Sequence, residues 1–375
     1  MDLIGFVQAL LLNITVIAGI NDPQTKVSPV GFTKMLMENN AITEIKNITA
    51  WRDGQDEQIK LRYMQRGTEA DVTTIDDCET PIVPEWKEAT IERNLFSKIG
   101  IFISDADMRK YQVEATKTME ITNNGKNPEN LTVPMMTALY KTIVVKVNGL
   151  IQHMDSQLVA AQATKWGANA AYGLVKTVQT INLGKTAELN DGVVKLLEDA
   201  QANEIEGDLL ICGSGVISAY DRYQKLKGTD DNGIGSLPLN VYYDPKTASK
   251  WGKDHFGVFA KGLVGLVDWN KNVGDYAGDR GGGGSLFFTL PIPVTLANGT
   301  LTELMLDAQL KYYDCPERDG EGRLIRDRGW GITLSKHYGL FNAPDDVFGD
   351  NDVLKGVNGS LHYMAKDATL PAQAS

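Results

Sequence analysis

The sequence predicts an α+β protein organised around one long helix and two long β-strands. Apolar residues recur at alternating steps of four and three along Leu131–Ala171, which predicts a single helix of roughly thirty-five residues. Apolar and polar residues alternate along Leu304–Tyr312 and again along Trp330–Leu340, which predicts two long strands paired antiparallel. Between the helix and these strands, short strand and helix patterns alternate, as in a compact α/β unit.

The composition is that of an ordinary globular protein with an acidic balance of charge. The chain has 375 residues, of which 42% are hydrophobic and 23% charged, and its net charge is −11. A chain of this length ordinarily forms about two or three domains. The negative charge argues against a protein that wraps nucleic acid by neutralising phosphates. The three cysteines, Cys78, Cys212 and Cys315, are too few and too scattered for a disulfide framework or a zinc site.

The amino-terminal segment Leu3–Ile20 is the one stretch apolar enough to suggest a membrane helix. Polar residues interrupt it, among them Asn13 and Thr15. A signal peptide needs a basic leading region, and only Met1 and Asp2 precede the apolar run. We therefore expect an amphipathic arm that is buried against another part of an assembly.

Residues 51–77 have the pattern of a charged β-hairpin. Apolar and polar residues alternate strictly from Gln58 to Arg66, which predicts a half-buried strand. Gly67 is a turn signal, and Thr68–Asp77 is predicted to return as the second strand. A two-stranded hairpin with so little apolar area is not stable by itself. We therefore expect it to lie on another surface.

The predicted long helix has one buried and one exposed face. Thr132 suits the N-cap and Pro134 the first turn. Gly149, which costs about 1 kcal/mol relative to Ala, is predicted to bend the helix or to admit a close neighbour. The buried stripe comprises Met136, Tyr140, Ile143, Val147, Leu150, Met154 and Leu158. The exposed face comprises Lys141, Lys146, Asn148, Gln152 and Asp155.

Shorter elements are predicted after the long helix. Asn190 or Asp191 is expected to cap a short helix that precedes a buried strand at Leu209–Cys212. A helix at Val216–Leu226 is followed by short strands at Leu239–Tyr243, Phe256–Ala260 and Leu263–Trp269. The glycine run from Gly281 is predicted to be a mobile loop tip, because no lysine or strand–helix context makes it a phosphate-binding loop.

No group of residues has the spacing of a known catalytic, cofactor-binding or metal site. Gly213–Gly215 lies between a strand and a helix, as a dinucleotide-binding loop does, but Ser218 stands where that motif has Gly or Ala. We expect these small residues only to let a helix start close to the strand. The acidic loop Asp345–Asp352 lacks the spacing of a calcium loop. The dispersed histidines also lack ligand spacing: His153, His255, His337 and His362.

The order of these parts resembles the major capsid proteins of tailed bacteriophages with the Hong Kong 97 fold. The shared order is an apolar arm, a charged hairpin, a long helix, a compact α/β region and a long β-hairpin. Two stretches, within Asp199–Ile211 and Val357–Leu361, are also similar to sequences in such coat proteins. In that family the hairpin would be the extended loop and the long helix the spine helix.

The resemblance implies a division of the whole chain. The expected parts are an N-terminal arm at 1–50, the extended loop at 51–78, a peripheral domain with the spine helix at 79–189, an axial α/β domain at 190–295, the long β-hairpin of the peripheral domain at 296–342, and a C-terminal segment at 343–375 that returns to the axial domain.

The resemblance also implies a structural function without catalysis or cofactors. The chain would assemble into hexamers and pentamers that form the icosahedral head shell around double-stranded DNA. A separate scaffolding protein and a portal would be partners, DNA contact would be weak and non-specific, no membrane would be involved, and assembly in the host cytoplasm would lead to the virion. The extended loop would contact a neighbouring subunit through Arg62, Arg66, Glu69 and Asp71. The alternatives are an encapsulin-like nanocompartment shell protein and a soluble α/β enzyme.

Overall fold

A computed structural model of the chain describes a defined set of residues, which are mixed α and β and mainly strand. This confirms the predicted α+β class. The described residues are 27, 29–39, 58–64, 86–92, 94–107, 109, 132–168, 179–182, 196, 209–215, 239–262, 264–270, 278–279, 285–295, 301–322, 324–342 and 360–366.

Two α-helices, one 3-10 helix at Pro245–Ser249 and fifteen strands are assigned within the described residues. In chain order the α-helices and strands are α1 (Gly31–Glu38), β1 (Gln58–Met64), β2 (Trp86–Glu92), β3 (Leu95–Ser104), α2 (Thr132–Ala168), β4 (Gln179–Asn182), β5 (Leu209–Gly213), β6 (Leu239–Tyr243), β7 (His255–Ala260), β8 (Val264–Trp269), β9 (Gly278–Asp279), β10 (Ser285–Thr295), β11 (Leu301–Tyr313), β12 (Glu317–Arg318), β13 (Leu324–Arg326), β14 (Gly329–Asn342) and β15 (Ser360–Lys366).

The chain divides into two compact units, and each combines three segments of sequence. The first unit comprises 1–29, 96–154 and 268–337, and the second comprises 30–95, 155–267 and 338–375. Helix α2 therefore contributes residues 132–154 to the first unit and 155–168 to the second. The domain boundaries expected from the sequence differ from this division and stay a prediction.

The predicted long helix is confirmed as α2, which has 37 residues and a length of about 55 Å. The predicted stripe is buried at Ile143, Val147, Leu150 and Met154 in the first unit, each at most 2% exposed, and at Leu158 in the second. It is also wider than predicted, because Val144, Ile151 and Val159 are buried beside it. The side chains of Met136 and Tyr140 lie outside the described residues.

On the other side of α2, the prediction for Asp155 is wrong and the prediction for Gly149 is wrong in part. Asp155 was expected to be exposed, yet its side chain is completely buried, because it accepts a hydrogen bond from the backbone N–H of Thr33 in α1. A charged residue at that position of the helix predicted exposure to solvent, but α1 supplies a hydrogen-bond donor to its carboxylate. Gly149 was expected to bend the helix or to admit a close neighbour; the second alternative is wrong, because the nearest atom to a Cβ built there is Ile99 Cδ1 at 3.9 Å, and the bend stays a prediction. Lys146 and Gln152 are exposed, as predicted.

The first unit is built on a sheet in the order β3-β14-β11-β10-β9, and β8 also pairs with β14. The predicted pairing of the two long strands is confirmed, because β11 and β14 are antiparallel from Asp307 opposite Ser335 to Tyr313 opposite Gly329. Alternate residues of β11 form the core, which explains the pattern in the sequence: Leu304, Leu306, Ala308 and Leu310. The charged loop between the two strands carries a small hairpin of β12 and β13.

Strand β10 was not predicted, although it has eleven residues. It pairs with β11 along its whole length, whereas β9 pairs only with Leu286 and Phe287 on the other side. Pro291 and Pro293 lie beyond that short pairing, where a proline without an N–H group can be accommodated. Prolines in a sequence normally argue against a strand. Whether a strand edge accepts them depends on its position in the sheet, which the sequence does not reveal.

The second unit contains a five-stranded sheet in the order β4-β15-β7-β5-β6. The sequence predicted β5, β6 and β7, and β5 is buried along its whole length. The strand near the carboxyl end, β15, pairs antiparallel with β7 and parallel with β4. Aromatic rings pack in the core of this unit, with ring centroids of Trp166 and Trp251 4.8 Å apart and those of Phe32 and Trp251 5.5 Å apart.

The predicted strand at Gln58–Arg66 is confirmed as β1, which spans Gln58–Met64. In the described residues β1 pairs antiparallel with β2, from Gln58 opposite Glu92 to Met64 opposite Trp86. This pairing closes over residues 65–85, and the predicted turn at Gly67 and return strand Thr68–Asp77 lie outside the described residues.

Several predicted features lie outside the described residues. They are the arm Leu3–Ile20, the strand Thr68–Asp77, most of the short helix after Asn190, the helix Val216–Leu226, the glycine run from Gly281 and the acidic loop Asp345–Asp352. Leu196, from the short helix, is described and fully buried.

Candidate assembly surfaces

The β1–β2 hairpin carries a large exposed apolar residue. Trp86 is 65% exposed and begins β2, opposite Met64 of β1. The two strands form a sheet by themselves in the described residues, and such a two-stranded ribbon is marginal in water. An exposed indole on an element of this kind is a candidate anchor for another protein surface, because Trp is enriched where interfaces are most tightly packed.

One of the four predicted contact residues lies on this hairpin. Arg62 is opposite Glu88, so opposite charges occupy facing positions of the ladder. The other three, Arg66, Glu69 and Asp71, lie outside the described residues. Trp86 was missed, although an aromatic residue between Glu85 and Lys87 was a signal that could have marked it.

The outer strand of the first unit, β3, is a second candidate surface. Phe96 and Phe102 are 42% and 39% exposed, and Lys98 and Gly100 between them are exposed on the same face. In the described sheet, β14 pairs with one edge of β3 and no strand pairs with the other. A ten-residue strand with a free edge can pair with another chain.

Aromatic and charged side chains cluster near one end of the long strands of the first unit. The guanidinium carbon of Arg326 lies 3.8 Å from the ring centroid of Tyr313 and 6.0 Å from that of Phe102. The hydroxyl of Tyr312, the residue before Tyr313, donates a hydrogen bond to Asp105 Oδ2 at 2.8 Å. Leu324, which precedes Arg326 by two residues in β13, is 52% exposed. Arginine and aromatic residues together are typical of protein interfaces.

A buried carboxylate pair fixes α1 in the second unit. Asp244 Oδ2 accepts a hydrogen bond from Phe32 N at 3.1 Å and its Oδ1 accepts one from Lys246 N at 2.9 Å. Asp155 Oδ1 accepts from Thr33 N at 2.9 Å, and Lys246 Nζ lies 3.4 Å from its Oδ2 as an ion pair without hydrogen-bond geometry. The backbone N–H groups of Phe32 and Thr33, in the first turn of α1, are thus bound by carboxylates, which is favourable at a helix N-terminus.

Burial perturbs the titration of this cluster. Desolvation, followed by the charge of Asp244, raises the pKa of Asp155 from 3.8 to about 6, and the Thr33 N–H and Lys246 act in the opposite direction. Burial, with the charges of Asp244 and Asp155, raises the pKa of the Cys212 thiol well above its usual value. A buried thiol held protonated is a poor nucleophile, and Cys212 is fully buried in the core of the second unit.

Two of the histidines that are dispersed in the sequence meet in the second unit. His255 Nδ1 lies 3.0 Å from His362 Nε2, because β7 and β15 are paired. The His362 ring also stacks on Trp166 with centroids 4.3 Å apart. Burial, followed by the nearby His255, lowers the pKa of His362 from 6.5 to about 4. Pairing of strands distant in sequence brings them together, which spacing along the chain does not reveal.

The glycine loop after β5 is occupied by protein groups. Ser214 N donates to Thr247 Oγ1 at 2.8 Å, and Gly215 N donates to the His255 carbonyl at 3.0 Å. These two N–H groups are therefore not directed at a phosphate. The helix that the small residues were expected to let start close to the strand lies outside the described residues. Within the described residues, no group of three or more potential ligands is arranged for a metal ion. No helix of that part of the chain is both long and apolar enough to cross a bilayer.

No protein-family model matches the sequence, and no curated protein matches it. Among solved structures, the chain is similar to one from Mycobacterium phage Che8, with 8% identity, a TM-score of 0.38, and coverage of 83% of this chain and 86% of that one. It is similar to the capsid structure of the cyanophage P-SCSP1u, with 12% identity, a TM-score of 0.38 and coverage of 84% and 85%. A structure from Mycobacterium phage Adephagia has 13% identity, a TM-score of 0.39 and coverage of 84% and 87%. TM-scores below 0.5 leave the function to be argued from the residues of this chain.

Proposed function

We propose that this chain is the major capsid protein of a tailed bacteriophage, with a Hong Kong 97 type fold. The observation that carries the proposal is α2, a helix of 37 residues that contributes to both compact units and is accompanied by the paired strands β11 and β14. Helices of globular proteins average about twelve residues. A helix three times longer, beside strands of 13 and 14 residues, suits a subunit that must span a shell face.

In the proposed fold, the two units would correspond to a peripheral and an axial domain. The first unit, with most of α2 and the β11–β14 pair, would be the peripheral domain. The second unit, with the five-stranded sheet that β15 joins, would be the axial domain, and the pairing of β15 with β7 supports a C-terminal segment that returns to it.

The hairpin of β1 and β2 would be the extended loop that lies across a neighbouring subunit. Trp86 would supply apolar contact, and Arg62, Arg66, Glu69 and Asp71 would set register through charge complementarity. Hexamers and pentamers built from such contacts would form the icosahedral shell around double-stranded DNA. A separate scaffolding protein and a portal would act with it, and assembly in the host cytoplasm would produce the virion.

Sedimentation velocity of the purified chain, alone and co-expressed with the scaffold of the same genome, tests this proposal. Pentamers, hexamers or closed shells are expected in at least one of the two samples, because the exposed Trp86 of the hairpin and the exposed Phe96 and Phe102 of β3 would be covered by partner subunits. A monomer at micromolar concentration in both samples would contradict the proposal. Shells filled with an enzyme in place of DNA would instead indicate a nanocompartment.

A further inference from the structure

Two histidines of the second unit share one hydrogen bond across a pair of strands. His255 of β7 and His362 of β15 lie on the same face of the ladder, because His362 is opposite Gly257 and His255 is opposite Met364. Their facing nitrogens, Nδ1 of His255 and Nε2 of His362, are 3.0 Å apart. Only one hydrogen fits between two nitrogens at this distance, so one neutral ring donates and the other accepts.

The protein packs closely around both rings. The His362 ring stacks on Trp166 of α2, with the ring centroids 4.3 Å apart and an angle of 8° between the ring planes. Glycine at position 257 allows this stacking, because a Cβ built there would lie only 2.9 Å from the Trp166 ring. On the other side of the pair, a Cβ built at Gly252 would lie 2.6 Å from Cδ2 of His255. Both rings are therefore confined to positions in which they face each other.

The pair lies where β15 depends on β7. In the described residues, β15 pairs with β4 only from Tyr363 onward, so the residues before Tyr363 have β7 as their one neighbouring strand. On the side of α2, Trp166 Nε1 donates a hydrogen bond to Ser360 Oγ at 2.9 Å. A change of charge at His362 therefore acts directly on the part of β15 that has the fewest partners.

Both rings bind a proton less readily than a free histidine does. Burial, followed by the charge of His255, lowers the pKa of His362 from 6.5 to about 4, and burial also lowers the pKa of His255. Asp254, which precedes β7, acts on His255 in the opposite direction. The face of Trp166 also attracts a charged His362 ring. Both pKa values are nevertheless lowered, so a proton on either ring favours separation of the two strands.

We propose that His255 and His362 form a proton-operated latch, which holds β15 on β7 and releases it when both rings are protonated. In the neutral pair, the shared hydrogen bond and the stacking on Trp166 keep β15 in the sheet. A first proton can still be shared between the facing nitrogens. A second proton leaves two N–H groups facing each other without an acceptor, and the strands separate. The inference goes beyond the proposed function, because the latch needs neither assembly nor a second subunit.

Hydrogen exchange of the purified full-length chain between pH 6.5 and 4 tests the proposal. The readout is the protection factor of the β15 amides, corrected for the intrinsic effect of pH on exchange. Strand β5, which is buried along its whole length in the same sheet, is the internal reference for unfolding of the second unit. The ratio of β15 to β5 protection should fall by up to about tenfold per pH unit for each proton that the pair takes up on opening. A ratio that does not change with pH would overturn the proposal.

Three variants provide the comparison. The double variant His255→Gln with His362→Gln has side chains that can hydrogen-bond each other but cannot take up a proton, so its ratio should not depend on pH. His255→Gln alone removes the mutual repulsion but leaves His362 buried, so its ratio should fall less steeply than that of wild type. His153→Gln changes an exposed histidine of the first unit and should behave as wild type.

The variants and the reference strand separate a latch from general acid unfolding. An equal fall of the ratio in wild type and in the double variant would overturn the role of the two histidines. Loss of the pH dependence in His153→Gln would also overturn it, because that ring lies in the first unit. If the double variant does not fold, the wild-type profile still decides. A parallel loss of protection in β15 and β5 would mean that acid unfolds the unit as a whole and that no latch operates.

Discussion

At the scale of single residues, Asp155 and His362 make the second unit respond to pH in opposite senses. The pKa of Asp155 is raised from 3.8 to about 6, so its contribution to stability is complete below pH 3.8 and is lost as pH rises through 6. The pKa of His362 is lowered from 6.5 to about 4, so its contribution is complete above pH 6.5 and is lost as pH falls through 4. Between pH 4 and 6 the two effects largely cancel.

Replacement of Asp155 by asparagine should expose the histidine effect. The carboxamide of the Asp155→Asn variant would keep an oxygen for the Thr33 N–H but would not titrate. Relative to wild type, the free energy of unfolding of this variant should fall on acidification from pH 6 to 4, with a slope of up to about 1.4 kcal/mol per pH unit, the value for one proton. Urea unfolding of the unassembled subunit at several pH values measures this slope.

His362→Gln is the matched control for that measurement. Without the histidine, the Asp155 effect alone remains, so the free energy of unfolding should rise relative to wild type as pH falls from 6 to 4. Parallel pH profiles for wild type and both variants would mean that neither group changes its proton binding on folding.

At the scale of secondary structure, α2 is the element that the sequence predicted best. Its period of apolar residues spans many turns, so no local feature competes with it. Helix α1 and strand β10 were missed because each depends on contacts with distant parts of the chain. The eight residues of α1 are held by carboxylates from elsewhere in the chain, and β10 contains two prolines that only its position in the sheet tolerates.

The candidate assembly surface was predicted only in part, for a physical reason. Alternation identified β1 and placed Arg62 on it, because alternation is a local property of the sequence. The partner strand β2 depends on a pairing that closes over residues 65–85, so Trp86 could not be assigned to the hairpin. The same limit applies to His255 and His362, which meet only through the pairing of β7 with β15.

The buried face of α2 predicts a contrast between two substitutions. Leu150 is 2% exposed, so Leu150→Asp should place an unpaired charge in the core, cost several kcal/mol and abolish soluble folded protein. Gln152→Asp, on the exposed side, should remain soluble with a change in stability of about 0.5 kcal/mol or less. Soluble yield and circular dichroism are measured for both variants. Equal yields would mean that the faces of α2 are wrongly assigned.

The hairpin predicts a separation of folding from assembly. Trp86→Ser removes an indole that is 65% exposed, so the melting temperature of the unassembled subunit should be nearly unchanged. Assembly yield should drop at least tenfold, the equivalent of about 1.4 kcal/mol or more per contact. Val145→Ser, at a 60% exposed residue of α2 outside the candidate surfaces, is the comparison and should leave the assembly yield nearly unchanged. A melting temperature that falls together with the yield would place Trp86 in the subunit core.

At the scale of the whole molecule, net charge limits the interaction with DNA. A chain with charge −11 is repelled on average by phosphates, which opposes the displacement of their counterions. We expect weak, salt-sensitive binding without sequence preference. A gel-shift titration with two short duplexes of different sequence measures it, and tight binding of either duplex at physiological salt would contradict this expectation.

The central claim is that the chain builds a closed icosahedral shell, and electron cryo-microscopy of particles from cells that express the chain with its scaffold tests it most directly. The expected result is a shell of hexamers and pentamers in which β1–β2 of one subunit, with Trp86, lies across its neighbour. Isolated subunits, or small closed oligomers in which Trp86 is packed within its own subunit, would contradict the claim.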